Sequence, residues 1–146
     1  MASQTPPGWA RDFSPTAKNS TATRILVVDD EPLVRWSVSE TLGSLGWEVL
    51  EAGDGQSAIR AVSDRLRHVD IVFLDLWLPD SNDLRVLAAM RRLSPKTPII
   101  LMTAHGTPET VTGASKLGAF AVINKPFELD ELAPLVHSAL RPPQPV

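Results

Sequence analysis

Five short apolar runs, each followed by a segment of helix-period apolar spacing, predict an α/β fold built on a parallel sheet. Prolines and glycines punctuate the alternation, and four of the five runs end on a polar residue. Right-handed crossovers leave few ways to connect such a sheet. The expected one is a flavodoxin-like, doubly wound (βα)5 arrangement, strand order 2-1-3-4-5, with helices on both faces.

Each element follows from its residues. Ile25–Asp29 (ILVVD) reads as a buried strand. Pro32 suits the first turn of the helix after it, whose Val34, Val38, Leu42 and Leu45 line one face until Gly46 closes it. Trp47–Ala52 alternates weakly as the second strand, and Asp54 is placed to cap a helix burying Ala58, Ile59, Val62 and Leu66. Val69–Leu76 is the third strand. A Leu78-Pro79-Asp80-Ser81 turn leads to a helix carrying Leu84, Leu87 and Met90. Pro98–Met102 is the fourth strand, and its helix carries Val111, Ala114 and Leu117 before Gly118 stops it. Ala119–Ile123 is the fifth strand, and the last helix is expected to bury Leu129, Leu132, Val136 and Leu140.

Composition sets the bounds. The chain of 146 residues is 43% apolar and 21% charged, enough for one well-buried core. Its net charge of -3 argues against a general electrostatic grip on nucleic acid or an anionic membrane. Without cysteine there are neither disulfides nor thiolate metal sites. No run reaches membrane-spanning length and no signal-peptide core opens the chain, so a cytoplasmic protein is expected. Residues 1–23 and 141–146 are Pro-rich and read as flexible flanks of a folded unit spanning 24–140.

In this fold, ligands bind outside the carboxyl ends of the strands. The first strand ends in Asp29-Asp30-Glu31, the third in Asp75, the fourth in Thr103 and the fifth in Lys125. All of them therefore fall on one rim. Carboxylates gathered there repel by about 4 kcal/mol per pair at 4 Å and an effective dielectric near 20. Such a cluster protonates, splays apart or holds a cation, and an all-oxygen donor set suits Mg²⁺. One carboxylate can then act as a nucleophile toward phosphorus, with Lys125 and the cation neutralising charge and Thr103 donating a hydrogen bond. Glu31 alone reads as a charge at a helix N-terminus. His68, His105 and His137 lack metal-ligand spacing. Trp36 and Trp47 are expected to be partly buried, Trp9 lies in the N-terminal flank, and Trp77 flanks the pocket.

The stretches ILVVDDEP (25–32), IVFLDLWLPD (71–80), PIILMTAHG (98–106) and NKPFELDEL (124–132) together resemble the response regulator receiver family. Arg35-Trp36 and Met102-Thr103-Ala104-His105 bring the likeness closest to receivers of sigma-54-dependent, NtrC-like activators. The resemblance implies that Asp75 is the phosphorylated residue and that Asp29 and Asp30 form the acidic pair, Asp30 the more direct Mg²⁺ ligand. It also implies that the Trp77 carbonyl is a third protein ligand. Thr103 is then the switch hydroxyl, Lys125 the phosphate-pairing lysine, and the Lys125–Pro126 bond cis.

Three departures stand out. Val122 occupies the position where the family usually has Tyr or Phe, and Phe120, two residues earlier, reads as core. Asn82-Asp83 replaces a usual Asp-Gly. Pro134 falls early in the last helix, where it either bends a dimerisation face or sits harmlessly in the first turn.

The function implied is a two-component phosphoacceptor, not a metabolic enzyme, phosphorylated by a histidine kinase or phosphotransfer protein. Its output would pass through a downstream protein or a homodimer on the last helix-strand-helix face. With about six residues after the last helix there is no room for a DNA-binding domain, so the expectation is a single-domain regulator or the receiver of a longer activator. The alternative is a receiver-fold binding module that works without phosphorylation. A haloacid-dehalogenase-like phosphatase is disfavoured, because Trp77 stands where that chemistry needs a second aspartate.

Overall fold

The computed structural model describes residues 22–141. Of the flanks read from the sequence, 1–23 and 141–146, all but Ala22, Thr23 and Arg141 lie outside the described residues, as does Trp9. Five parallel strands, β1 (Arg24–Val28), β2 (Glu48–Ala52), β3 (Ile71–Asp75), β4 (Ile99–Thr103) and β5 (Ala121–Asn124), form one sheet in the order β2-β1-β3-β4-β5. The helices between and after them are α1 (Pro32–Ser44), α2 (Gly55–Ser63), α3 (Arg85–Leu93), α4 (Pro108–Lys116) and α5 (Leu132–Leu140). This is the expected topology.

Strand alternation divides the interior in two. Ile25, Val27, Ile71, Phe73, Ile100 and Met102 face α1 and α5, where Val38, Leu42, Leu132 and Val136 close over them. Leu26, Val28, Val72, Leu74 and Leu101 face the other way, against Ala58, Val86, Leu87, Met90 and Ala114 of α2, α3 and α4. β1, β3 and β4 are therefore apolar on both faces, which is why they read as continuous runs. Each fully buried side chain of this kind contributes about 1.5–3 kcal/mol.

Local chemistry sets the ends. Pro32 and Pro108 occupy the first positions of α1 and α4. Asp54 caps α2 as expected, its Oδ1 accepting from the Ser57 amide at 2.7 Å. Gly46, at φ 95°, turns the chain after α1 in a conformation that other residues rarely adopt. Pro134 is the third residue of α5, in its first turn, behind a single 3₁₀ turn at Leu129–Glu131 that Glu128 and Glu131 cap reciprocally. It therefore takes the harmless placement.

Several expected core residues are surface residues. α2 stops at Ser63, and Leu66 is 93% exposed in the turn beyond it, where its amide donates to Asp64 Oδ1. Leu45 and Leu140 lie at helix ends and Leu129 in the 3₁₀ turn, so none has a complete layer above it. Val111 projects from the outer side of α4, and Trp36, expected to be partly buried, is 57% exposed on α1. Phe120 precedes β5, is 45% exposed and is not core. Trp47 is partly buried, edge-on to His137.

Candidate functional site

The carboxyl ends of β1, β3, β4 and β5 meet at one rim, and the sequence-predicted residues meet with them. Asp29 and Asp75 are buried, Asp30 is exposed, and carboxylate oxygens of all three lie within 4.8 Å of one another. Lys125 Nζ enters from the β5 side. It donates to Asp29 Oδ2 at 2.7 Å and lies 3.3 Å from both Asp75 Oδ2 and Glu31 Oε1. The Lys125–Pro126 peptide bond is cis.

Each member is held in place. Asp29 Oδ1 accepts from the Glu31 amide at 2.9 Å, and Asp75 Oδ1 from the Trp77 amide at 3.1 Å. Buried Thr103 accepts from the His105 amide at 3.0 Å, which leaves its hydroxyl proton without an acceptor among the described residues. Asp30 has no hydrogen-bond or ion-pair partner among the described residues. Above Asp75 lies an open hollow of about 300 Å³, lined in part by Asp30, Trp77, Pro79, Ala104, His105 and Lys125. Trp77 and His105 flank it, their rings tilted against each other with centroids 4.5 Å apart.

The electrostatics follow from this crowding. Burial first, and the Asp29 charge second, raise the Asp75 pKa from its ordinary 3.8 to about 6, against the opposing pull of Lys125 and the Trp77 amide. Burial works against a charged Lys125. Its hydrogen bond to Asp29 and the charges of Asp29 and Asp75 outweigh that, so its pKa is raised and the lysine is held cationic. An all-oxygen cluster with one cationic partner and one uncommitted carboxylate fits a small hard cation.

Three contacts were not anticipated. Glu31 is the N-cap residue of α1, so its charge does stand at that helix end, but its side chain makes no cap bond and reaches Lys125 instead. Arg35 Nη1 donates to the Asp29 carbonyl at 2.7 Å while its Nε pairs with Glu51 at 3.0 Å, bracing the acidic turn. Asp80 accepts from the Gly55 and Gln56 amides at the start of α2. The sequence showed Glu31 at the rim and Asp80 in a turn, but partners far along the chain leave no local pattern. Val122 is half-buried against the α2–α4 core, and no aromatic ring stands at that position.

This sheet, with a carboxylate cluster, a hydroxyl and a lysine on its carboxyl rim, defines a signalling module of the receiver type. The chain belongs to the response regulator receiver family, residues 25–137 matching the family described as "Response regulator receiver domain". It is 40% identical over 118 residues to the regulatory protein AtoC of Escherichia coli, covering 81% of this chain and 25% of that protein. It is 38% identical over 117 residues to the probable transcriptional regulatory protein TcrX of Mycobacterium tuberculosis, covering 80% and 49%. The crystal structure of the receiver domain of NtrX from Brucella abortus matches with a TM-score of 0.72 at 38% identity, over 80% of this chain and 97% of that one. AtoC and NtrX bear out the NtrC-like resemblance. The chain spans a quarter to a half of the length of the curated relatives named. Among the described residues no helix is long and apolar enough to cross a membrane.

Proposed function

We propose that this chain is a phosphoacceptor whose Asp75 receives a phosphoryl group from a histidine kinase or phosphotransfer protein. The observation that carries the reading is the contact of Lys125 with both buried carboxylates, Asp29 and Asp75, beside the uncommitted Asp30. Asp29, Asp30, Asp75 and the Trp77 carbonyl would hold Mg²⁺. When bound, Mg²⁺ supplies Lewis-acid stabilisation to the oxygens of a transferring phosphoryl group.

The chain's own residues do the rest. An Asp75 carboxylate oxygen attacks phosphorus, forming an O–P bond as the P–N bond of the donor phosphohistidine breaks and the imidazole departs with the electron pair. Lys125 holds the attacking carboxylate and then faces the charge of the acyl phosphate. Thr103 has a proton to give to a phosphoryl oxygen. The folded unit is 24–140, a cytoplasmic module that acts through protein contacts and does not itself bind nucleic acid. Exposed Val111 and Phe120 support α4, β5 and α5 as the face for a downstream protein or a second copy. Sizing chromatography with and without beryllofluoride tests for the second copy.

Acetyl phosphate with Mg²⁺ is expected to add one phosphoryl group by intact mass, and Asp75→Asn to abolish the addition. Wild-type protein that gains no mass from any phosphodonor would sink the proposal. Val122 favours a second reading, a receiver-fold binding module that never needs phosphate. That reading gains if Mg²⁺ leaves the tryptophan fluorescence of wild type and Trp77→Phe alike unchanged.

A further inference from the structure

The loop after β3 is also fastened through Asp80, a carboxylate that is not part of the acidic cluster. Asp80 Oδ1 accepts from the Gly55 amide at 2.8 Å and Oδ2 from the Gln56 amide at 3.0 Å. These are the first two residues of α2, and Asp54 takes the third amide, that of Ser57. Two carboxylates thus satisfy the first turn: one is the local cap, and the other comes from 25 positions along the chain. The fit is close. A Cβ on Gly55 would come within 2.8 Å of a Val86 methyl and 3.2 Å of Asp80 Oδ1.

We infer that Asp80 is a positioning residue for cation binding, tying the Trp77–Ser81 loop to α2 so that the Trp77 carbonyl is aimed at the acidic cluster. The inference rests on the Mg²⁺ reading proposed above. A carboxylate side chain can rotate toward a cation, but a backbone carbonyl cannot. Its aim depends on whatever fixes the loop. The Trp77 amide meets Asp75 at 3.1 Å, and Leu78 and Ser81 bond each other in both directions at 2.8 and 3.2 Å. Those bonds shape the loop internally. The Asp80 pair holds its far end to a second element.

The test compares full-length Asp80→Ala, Asp80→Asn and Asp54→Ala with wild type by Mg²⁺ titration of tryptophan fluorescence, with Trp77→Phe as background and thermal unfolding alongside. Asp80→Ala should weaken Mg²⁺ binding about tenfold. Its acetyl phosphate-driven phosphorylation should recover at saturating Mg²⁺. Asp80→Asn, which keeps one carbonyl acceptor, should restore part of the affinity, and it carries the test if Asp80→Ala fails to fold. Asp54→Ala removes a cap from the same helix without touching the loop, so it should lower Tm and leave Mg²⁺ affinity in place. Wild-type affinity in both Asp80 variants overturns the inference. So does a loss in Asp54→Ala matching that in Asp80→Ala, because helix stability alone would then account for it. A wild type that gives no Mg²⁺ response overturns the metal reading itself, before any Asp80 variant is measured.

Discussion

At the scale of the residue, Asp75 is held in a state that costs stability. Its pKa in the folded protein, about 6, lies above its ordinary 3.8, so protonation favours the fold. The stabilising effect is complete below about pH 4 and is lost as the pH rises through 6. Removing the ionisable proton at this position should therefore stabilise metal-free protein at neutral pH. Asp75→Asn is expected to raise the unfolding free energy by roughly 2–3 kcal/mol at pH 7 in chelator, with the gain vanishing near pH 4. Urea melts at both pH values check this. Lys125 acts in the opposite sense, because both buried carboxylates rely on its ammonium. Lys125→Ala is expected to destabilise the protein at pH 7 by about 3 kcal/mol, measured by the same melts. The strand-end residues Asp29, Asp30, Asp75, Thr103 and Lys125 were legible because a parallel sheet sends every carboxyl end to one rim. Glu31 was placed on that rim as well. Its contact with Lys125 was not legible, nor were those of Arg35 and Asp80, since each finds its partner through a fold that spacing alone does not reveal.

At the scale of the element, strands were easier to read than helix ends. β1, β3 and β4 are apolar on both faces, so their runs stand out, and their observed ends differ from the expected ones by one or two residues. Helix periodicity says which residues share a side but not where that side stops being covered. Leu66 fits the period of α2 yet lies beyond Asp64, where the chain has already left the helix. Glycine was a dependable end marker. Gly46 sits at a positive φ after α1 with open space around its Cα, so a Cβ there meets strain but no clash. Gly46→Ala should cost about 1 kcal/mol in a urea melt.

At the scale of the whole molecule, one sheet supports two half-cores that share only its strands. Phe73, fully buried beneath α1 and α5, is among the largest side chains in its half. Phe73→Ala should cost about 3–5 kcal/mol by chemical denaturation, and its cavity opens on the α1–α5 side alone. The acidic rim draws on both halves, since α1 follows the turn bearing Asp29 and Asp30 while α2 anchors the loop after Asp75. Damage to either half should therefore reach the site.

The join between β4 and β5 carries a last consequence. The Lys125 amide donates to the Thr103 carbonyl at 2.8 Å, and Thr103 pairs in register with Asn124. The residues that bear the hydroxyl and the ammonium at the rim are thus joined on one ladder. A shift of the Thr103 backbone would therefore have to stretch the bond to the Lys125 amide or carry that amide with it. With valine at position 122, Asp75 is joined to the end of β5 through the Lys125 side chain, 3.3 Å from Asp75 Oδ2, and through the rung that fastens Lys125 to Thr103.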